Sequence, residues 1–179
     1  RPGAGGRARA AQAVPSVLAG SDPGHAGFRR GRTKFPLPVQ IELLLAAAWQ
    51  DQAARDAVVH TLDRMAMGGI YDQVGGGFHR YSTDERWLVP HFEKMLYDNG
   101  QLASTYAEAF ERTGDAYYAQ IVRETLDYVL RAMTDERGAF YSAQDAEVNL
   151  REGGNYISVE AEARAVLEQA GLADDAAFA

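Results

Sequence analysis

The sequence predicts an all-α fold of antiparallel helical hairpins, and three observations carry that expectation. From Pro38 onward apolar residues recur at three- and four-residue steps, the period of a helix with one buried face. Helix-length segments are separated alternately by turns of about three residues and by long connections, so neighbours across the short turns are antiparallel. No run alternates apolar and polar residues as a half-buried strand would.

Residues 1–27 come first and read as a flexible basic linker. Nine of these residues are Gly or Pro, a composition that cannot bury enough apolar surface to order itself. The helical domain is expected over 28–179. Segment 38–50 opens on a proline, whose missing N–H costs nothing at a helix start. Segment 54–67 sets Val58, Leu62, Met65 and Ala66 on one stripe and stops at Gly68-Gly69. Segment 90–112 again opens on proline and carries Met95, Leu102, Tyr106, Ala109 and Phe110. Segment 115–133 follows with Tyr118, Val122, Val129 and Met133 in register, and 159–170 closes on Gly171.

The long connections, 68–89 and 134–158, fall at one end of an up-and-down arrangement, together with the entering segment 28–37. Each sets a glycine before an aromatic: Gly27-Phe28, Gly77-Phe78, and Gly138-Ala139-Phe140-Tyr141. Helical hairpins stacked with decorated loops at one end are the logic of an α/α toroid.

The chemistry concentrates in 68–98, GGIYDQVGGGFHRYSTDERWLVPHFEKMLYD. This stretch holds five of 18 glycines, six of the chain's aromatics and two of four histidines. Aromatic walls with convergent acids and donors suit polar, ring-shaped ligands such as sugars. With 90–112 as one helix, His91, Lys94 and Asp98 share a face near its start, and Glu93 and Tyr97 form a second. The candidate acid/base residues are His79, His91, Asp98 and Asp145, since imidazoles and environment-tuned carboxyls move protons near neutrality. The candidate ligand-binding residues are Lys34, Phe78, Arg80, Tyr81, Trp87, Glu93, Lys94, Tyr141 and Gln144. The competing bland reading makes the histidines loop anchors and Lys94–Asp98 an ordinary i,i+4 pair.

Other classes are disfavoured. Seven basic groups and one acid lie in 1–35, leaving 11 basic and 24 acidic side chains in the rest, a body ill-suited to nucleic acid. There is no cysteine for thiol chemistry. No run is long enough to span a bilayer, and a cytoplasmic location is expected. The triple glycine lacks the Lys-Ser/Thr of a phosphate loop, no Gly-x-Ser-x-Gly elbow appears, and no metal or cofactor is expected.

Three motifs carry a family resemblance: KFPLP at 34–38, GGIYDQVGGGFHRYSTDERWLVPHFEKMLYDN at 68–99, and GAFYSAQDAE at 138–147. Together they resemble the thioredoxin-domain-containing proteins related to spermatogenesis-associated protein 20, from about residue 24 to the end. The resemblance implies a helical domain of the six-hairpin, glycosidase- and epimerase-like (α/α)6 type, preceded in that family by a thioredoxin-like domain. It implies a carbohydrate-active domain with sugar-binding or acid/base chemistry. The alternatives are a non-catalytic interaction domain that docks the upstream thioredoxin-like domain or another protein, and a loop that is merely a packed plug. The chain departs from the pattern at Gly100, where the family has alanine, and over Glu152-Gly153-Gly154-Asn155-Tyr156-Ile157-Ser158, which lacks one aromatic and a tryptophan. Roughly two and a half hairpins are expected where a closed ring needs six, so a fragment, or self-association through open toroid edges, is anticipated.

Overall fold

The computed structural model describes residues 4–28, 31–47 and 49–171. Among the described residues six helices dominate: α1 (Ala4–Ala19), α2 (Pro38–Ala47), α3 (Gln52–Ala66), α4 (Leu96–Thr113), α5 (Ala116–Ala132) and α6 (Glu160–Gln169). Among the same residues six two-residue strands form three small ribbons: β1 (Tyr81–Ser82) with β2 (Pro90–His91), β3 (Lys94–Met95) with β4 (Ala143–Gln144), and β5 (Glu147–Val148) with β6 (Arg151–Glu152). The expectation of no strand is therefore corrected; two residues are too few to show any period. The chain divides into two compact units, Arg1–Asp145 and Ala146–Ala179.

In the first unit, helix ends follow local chemistry. The carboxylate of Asp51 caps α3 by accepting from the amides of Ala53 and Ala54 at 2.8 and 3.4 Å. Gly114, at φ 74°, ends α4 in the left-handed cap conformation, and Asp115 caps α5 through the Tyr117 amide at 2.9 Å. Helices α2 and α3, like α4 and α5, are hairpins joined by short turns.

Two expectations change here. Within the supposed linker 1–27, α1 is helical, and Val14, Val17 and Leu18, spaced i, i+3, i+4, pack against the core. Its helix also contains Pro15, which removes one i→i−4 bond. The helix expected over 90–112 begins only at Leu96, because residues 90–95 are extended and paired with two other loops. His91 and Lys94 thus lie on strands, and the shared helical face with Asp98 does not exist.

The core of the first unit joins α1 to α5. Ile41, Leu44 and Leu45 of α2, Val58, Leu62 and Met65 of α3, Leu102 and Tyr106 of α4 and Ile121 of α5 are essentially solvent-free. Rings run through it in series: Tyr71 to Phe78 at 4.9 Å, Phe78 to Tyr106 at 5.4 Å, and Tyr106 to Tyr118 at 5.7 Å. Each hydroxyl finds an acceptor, as a buried polar group must: Glu124 for Tyr71, the Leu62 carbonyl for Tyr106 at 2.8 Å, and Asp63 for Tyr118 at 2.8 Å.

The loops entering α2 and α4 repeat one device. In the first, Asp22 accepts from the Gly24 and His25 amides and takes the Lys34 ammonium at 2.8 Å. In the second, Asp72 accepts from the Val74 and Gly75 amides and takes the Lys94 ammonium at 2.8 Å. Each lysine also donates to a loop carbonyl, of Ala26 and Gly76 respectively. Each lies over an aromatic ring, Trp87 at 5.7 Å and Tyr128 at 4.2 Å. The same two rings press on Gly27 and Gly77. A Cβ on Gly77, whose φ is +80°, would lie 2.5 Å from the Tyr128 ring.

The second unit contains the β5–β6 hairpin, turned by Asn149 and Leu150, both at positive φ as a two-residue type I′ turn requires. In α6 the Glu162 carboxylate accepts from the Val159 amide at 3.2 Å.

Two stability outcomes follow from the clasp. Gly77→Ala combines left-handed strain with the Tyr128 overlap and should cost about 2–4 kcal/mol in urea unfolding; a cost near zero would show that the loop can shift away. Asp72→Ala leaves a buried ammonium uncompensated and should cost about 3–5 kcal/mol, whereas Asp72→Asn combined with Lys94→Met should cost clearly less. Equal costs would mean that charge pairing is not what matters there.

Candidate functional site

The site is built on a three-strand rim. Lys34 exchanges backbone hydrogen bonds with Ser82, at 2.9 and 2.8 Å, and Ser82 pairs with Pro90 while Tyr81 pairs with His91. Because side chains alternate across a strand, successive rungs face opposite ways. The rung Lys34–Ser82–Pro90 points inward and is buried. The next rung, Phe35–Tyr81–His91, points outward. Phe35 and Tyr81 have ring centroids 4.9 Å apart, and His91 stacks on Tyr81 at 4.9 Å with 19° between planes. Phe35 is 43% exposed, a large apolar ring kept partly in water.

Charged groups border this rung. The Arg80 amide donates to the Glu93 carbonyl at 2.8 Å, and the Arg80 guanidinium donates to the Glu93 carboxylate at 2.7 Å. His91 Nε2 lies 4.0 Å from the same carboxylate. Asp98, in the first turn of α4, has a buried Oδ2 that accepts no hydrogen bond. Burial raises the Asp98 pKa to about 6, opposed by Arg80 and reinforced by Glu93. At mildly acidic pH this carboxyl keeps its proton within electrostatic reach of the Arg80 guanidinium and the Glu93 carboxylate.

Of the expected site residues, the structure brings His91, Asp98, Arg80, Tyr81 and Glu93 together. His79 lies beneath them, 2% exposed, with its ring edge-on to Phe92 at 5.3 Å. Burial draws its imidazole down to about 4, with Lys94 adding to the effect, so it is neutral and shielded from solvent. Asp145 is exposed just after β4, and Tyr141 is exposed on the same loop. Gln144 pairs with Lys94 through its backbone, and its side chain accepts from the Tyr128 hydroxyl at 2.6 Å.

Four expected ligand contacts are corrected by burial. Lys34, Phe78, Trp87 and Lys94 are each no more than 1% exposed, so none can touch a ligand at the surface. Phe78 is a core ring. Trp87 donates from its indole N–H to the His25 carbonyl at 2.9 Å, and the two lysines are spent on Asp22 and Asp72. Sequence reading missed Phe35 as the third ring of the rung, and Asp22 and Asp72 as ammonium partners. A signal for the acids was present, since each stands five residues before a Gly-Phe pair.

Asp84 fixes the loop between β1 and β2. Its carboxylate accepts from the amides of Arg86, Leu88 and Val89, at 2.7, 3.3 and 2.6 Å. Burial alone would lift the Asp84 pKa, and these amides outweigh it and hold it low. Across this turn Trp87 adopts φ 66°, unusual for a bulky residue, and Leu88 and Val89 are left 53% and 55% exposed beside the rim. Among the described residues, no group of three or more His, Asp or Glu is placed to hold a metal ion, and no helix is long and apolar enough to cross a membrane.

No protein-family model matches the chain. Human spermatogenesis-associated protein 20 is 46% identical over 134 residues, covering 72% of this chain and 17% of the human protein, so the chain spans about a sixth of that relative. Among solved structures, the cellobiose 2-epimerase of Spirochaeta thermophila superposes with a TM-score of 0.66 at 20% identity, over 78% of this chain and 39% of the epimerase. A family 76 glycoside hydrolase from a bovine Bacteroides thetaiotaomicron strain superposes with a TM-score of 0.53 at 14% identity, over 68% and 26% of the two chains. At those identities the likeness establishes the fold, part of an (α/α)6 toroid.

The raised Asp98 pKa has a consequence for stability. A carboxyl whose folded pKa lies above its unfolded value of 3.8 stabilises the fold fully below that value, and the contribution is lost as pH rises through about 6. Asp98→Asn should therefore flatten the dependence of Tm on pH between about pH 4 and pH 7 and leave the protein no less stable at neutrality. A variant with the wild-type slope would show that Asp98 ionises freely.

Proposed function

As the chain belongs to the spermatogenesis-associated protein 20 family and folds as part of an (α/α)6 toroid, we propose that its rim binds a sugar ring and supports acid/base chemistry on it. The observation that carries this reading is the outward rung Phe35–Tyr81–His91 bordered by Arg80, Glu93 and the proton-retaining Asp98. A pyranose presents C–H groups on its faces and hydroxyls at its edge. The rings offer a platform for the first, and Arg80 with Glu93 offers a donor–acceptor pair for the second.

In this reading Asp98 is the acid, giving its proton to a glycosidic or carbonyl oxygen. His91, oriented by its stack on Tyr81 and its proximity to Glu93, accepts a proton from the attacking water or from the carbon next to the carbonyl. The fold relatives include a sugar epimerase and a glycoside hydrolase, which supports a carbohydrate ligand without selecting between the two reactions.

A second reading has its own observation. Leu88 and Val89 stand exposed beside the rung, an apolar edge suited to docking a protein domain, and an upstream thioredoxin-like domain would be its partner. Cross-links from residues 83–89 to that domain, with no sugar affinity, would favour it.

Calorimetric titration with a panel containing cellobiose and mannose tests the main proposal. Binding is expected, with Tyr81→Ala weakening it about tenfold through loss of ring contact. Asp98→Asn should preserve binding and abolish turnover followed by sugar NMR. Absence of binding across the panel would overturn the sugar reading.

A further inference from the structure

Lysine is the rarest charged residue in this chain: 16 of its 18 basic side chains are arginine, and the two lysines are Lys34 and Lys94. Both are buried, at 1% and 0% exposure. Both occupy the same surroundings, an aspartate that already accepts two loop amides, a loop carbonyl and an aromatic face. An ammonium suits such a slot because it is compact and its three donors point apart. A planar guanidinium is larger and presents its donors as a fork.

Each lysine also sits next in sequence to a residue of the rim. Lys34 precedes Phe35, and Lys94 follows Glu93. Each lysine's backbone pairs with the following loop, Lys34 with Ser82 and Lys94 with Gln144. Since neighbours on an extended chain face opposite ways, drawing the lysine inward turns its neighbour outward.

We infer that Lys34 and Lys94 are positioning residues of the rim: each buried ammonium pins its strand so that Phe35 or Glu93 faces the site. The inference depends on the sugar reading only for what the rim binds. The acids keep the clasp charged. Burial would lift the carboxyls of Asp22 and Asp72, and the hydrogen bonds from loop amides and from the lysines outweigh it and hold them below the ordinary range. Burial pulls the Lys94 ammonium down while Asp72 opposes it. The groups facing Lys94 are thus Asp72, the Gly76 carbonyl and the Tyr128 ring, with Arg131 and His79 nearby. Those facing Lys34 are Asp22, the Ala26 carbonyl and Trp87.

Amine acetylation with mass-spectrometric readout tests the clasp on the full chain. In the native protein both lysines should resist a reagent that modifies them fully in urea. Asp22→Asn should raise the reactivity of Lys34 by at least about tenfold while Lys94 stays protected, and Asp72→Asn should do the converse. The positioning claim is read from the proton resonances of the stacked Tyr81 and His91 rings. Lys34→Arg should shift them and weaken cellobiose binding, whereas Arg32→Lys on the exposed loop should do neither. If Lys34→Arg does not fold, the milder Asp22→Asn variant should produce the same ring shifts. Shifted rings in a protein that binds no sugar would uphold the positioning role and refute only the ligand. The inference is overturned if either native lysine reacts as fast as in urea. It also fails if a folded Lys34→Arg or Asp22→Asn variant keeps the wild-type ring resonances.

Discussion

The rest of the first unit depends on burying an ammonium group inside a loop. Taking a lysine out of water is costly, and it is tolerable only where a carboxylate and further acceptors replace the lost solvent. Asp22 and Asp72 supply the carboxylates, and backbone amides hold each in place. Several features follow from this requirement. Gly27 and Gly77 leave room for the ring that covers each clasp. Trp87 tolerates a left-handed backbone because its ring is pinned between Gly27, Lys34 and the His25 carbonyl. Residues 90–95 stay extended, because Lys94 can reach Asp72 while its backbone pairs with Gln144 only from a strand.

The helices were legible from the sequence because their period is a property of each segment alone. Val58, Leu62 and Met65, or Leu102, Tyr106 and Ala109, declare a buried face without reference to anything distant. Residues 90–95 misled for the opposite reason. Pro90 and the spacing of His91, Lys94 and Asp98 satisfy a helical pattern, and partners 22 and 50 residues away override it. Helix α1 was hidden by its glycines and by Pro15, although Val14, Val17 and Leu18 carried the right spacing.

The candidate site was legible as a region and misread in detail. Its residue types pointed to a polar ring-shaped ligand, and Tyr81 with His91 and Arg80 with Glu93 lie against one another, with Asp98 in electrostatic reach of the last two. Composition alone does not reveal which way a side chain faces. Alternation on a short strand decides that, and it sends Lys34 and Lys94 inward with Phe35 and Glu93 outward. His79 departs from that alternation: two residues before the outward Tyr81, its ring is buried, edge-on to Phe92. The sequence motifs that carry the family resemblance are therefore a mixture, with surface chemistry from some residues and the scaffold that aims it from their neighbours.

The most direct measurement is the nitrogen-15 NMR spectrum of the lysine ammonium groups. Two slowly exchanging ammonium signals are predicted, one with proton contacts to an indole ring, from Trp87, and one to a phenol ring, from Tyr128. Ammonium protons that exchange with water too fast to be observed, in a protein otherwise folded, would contradict the account.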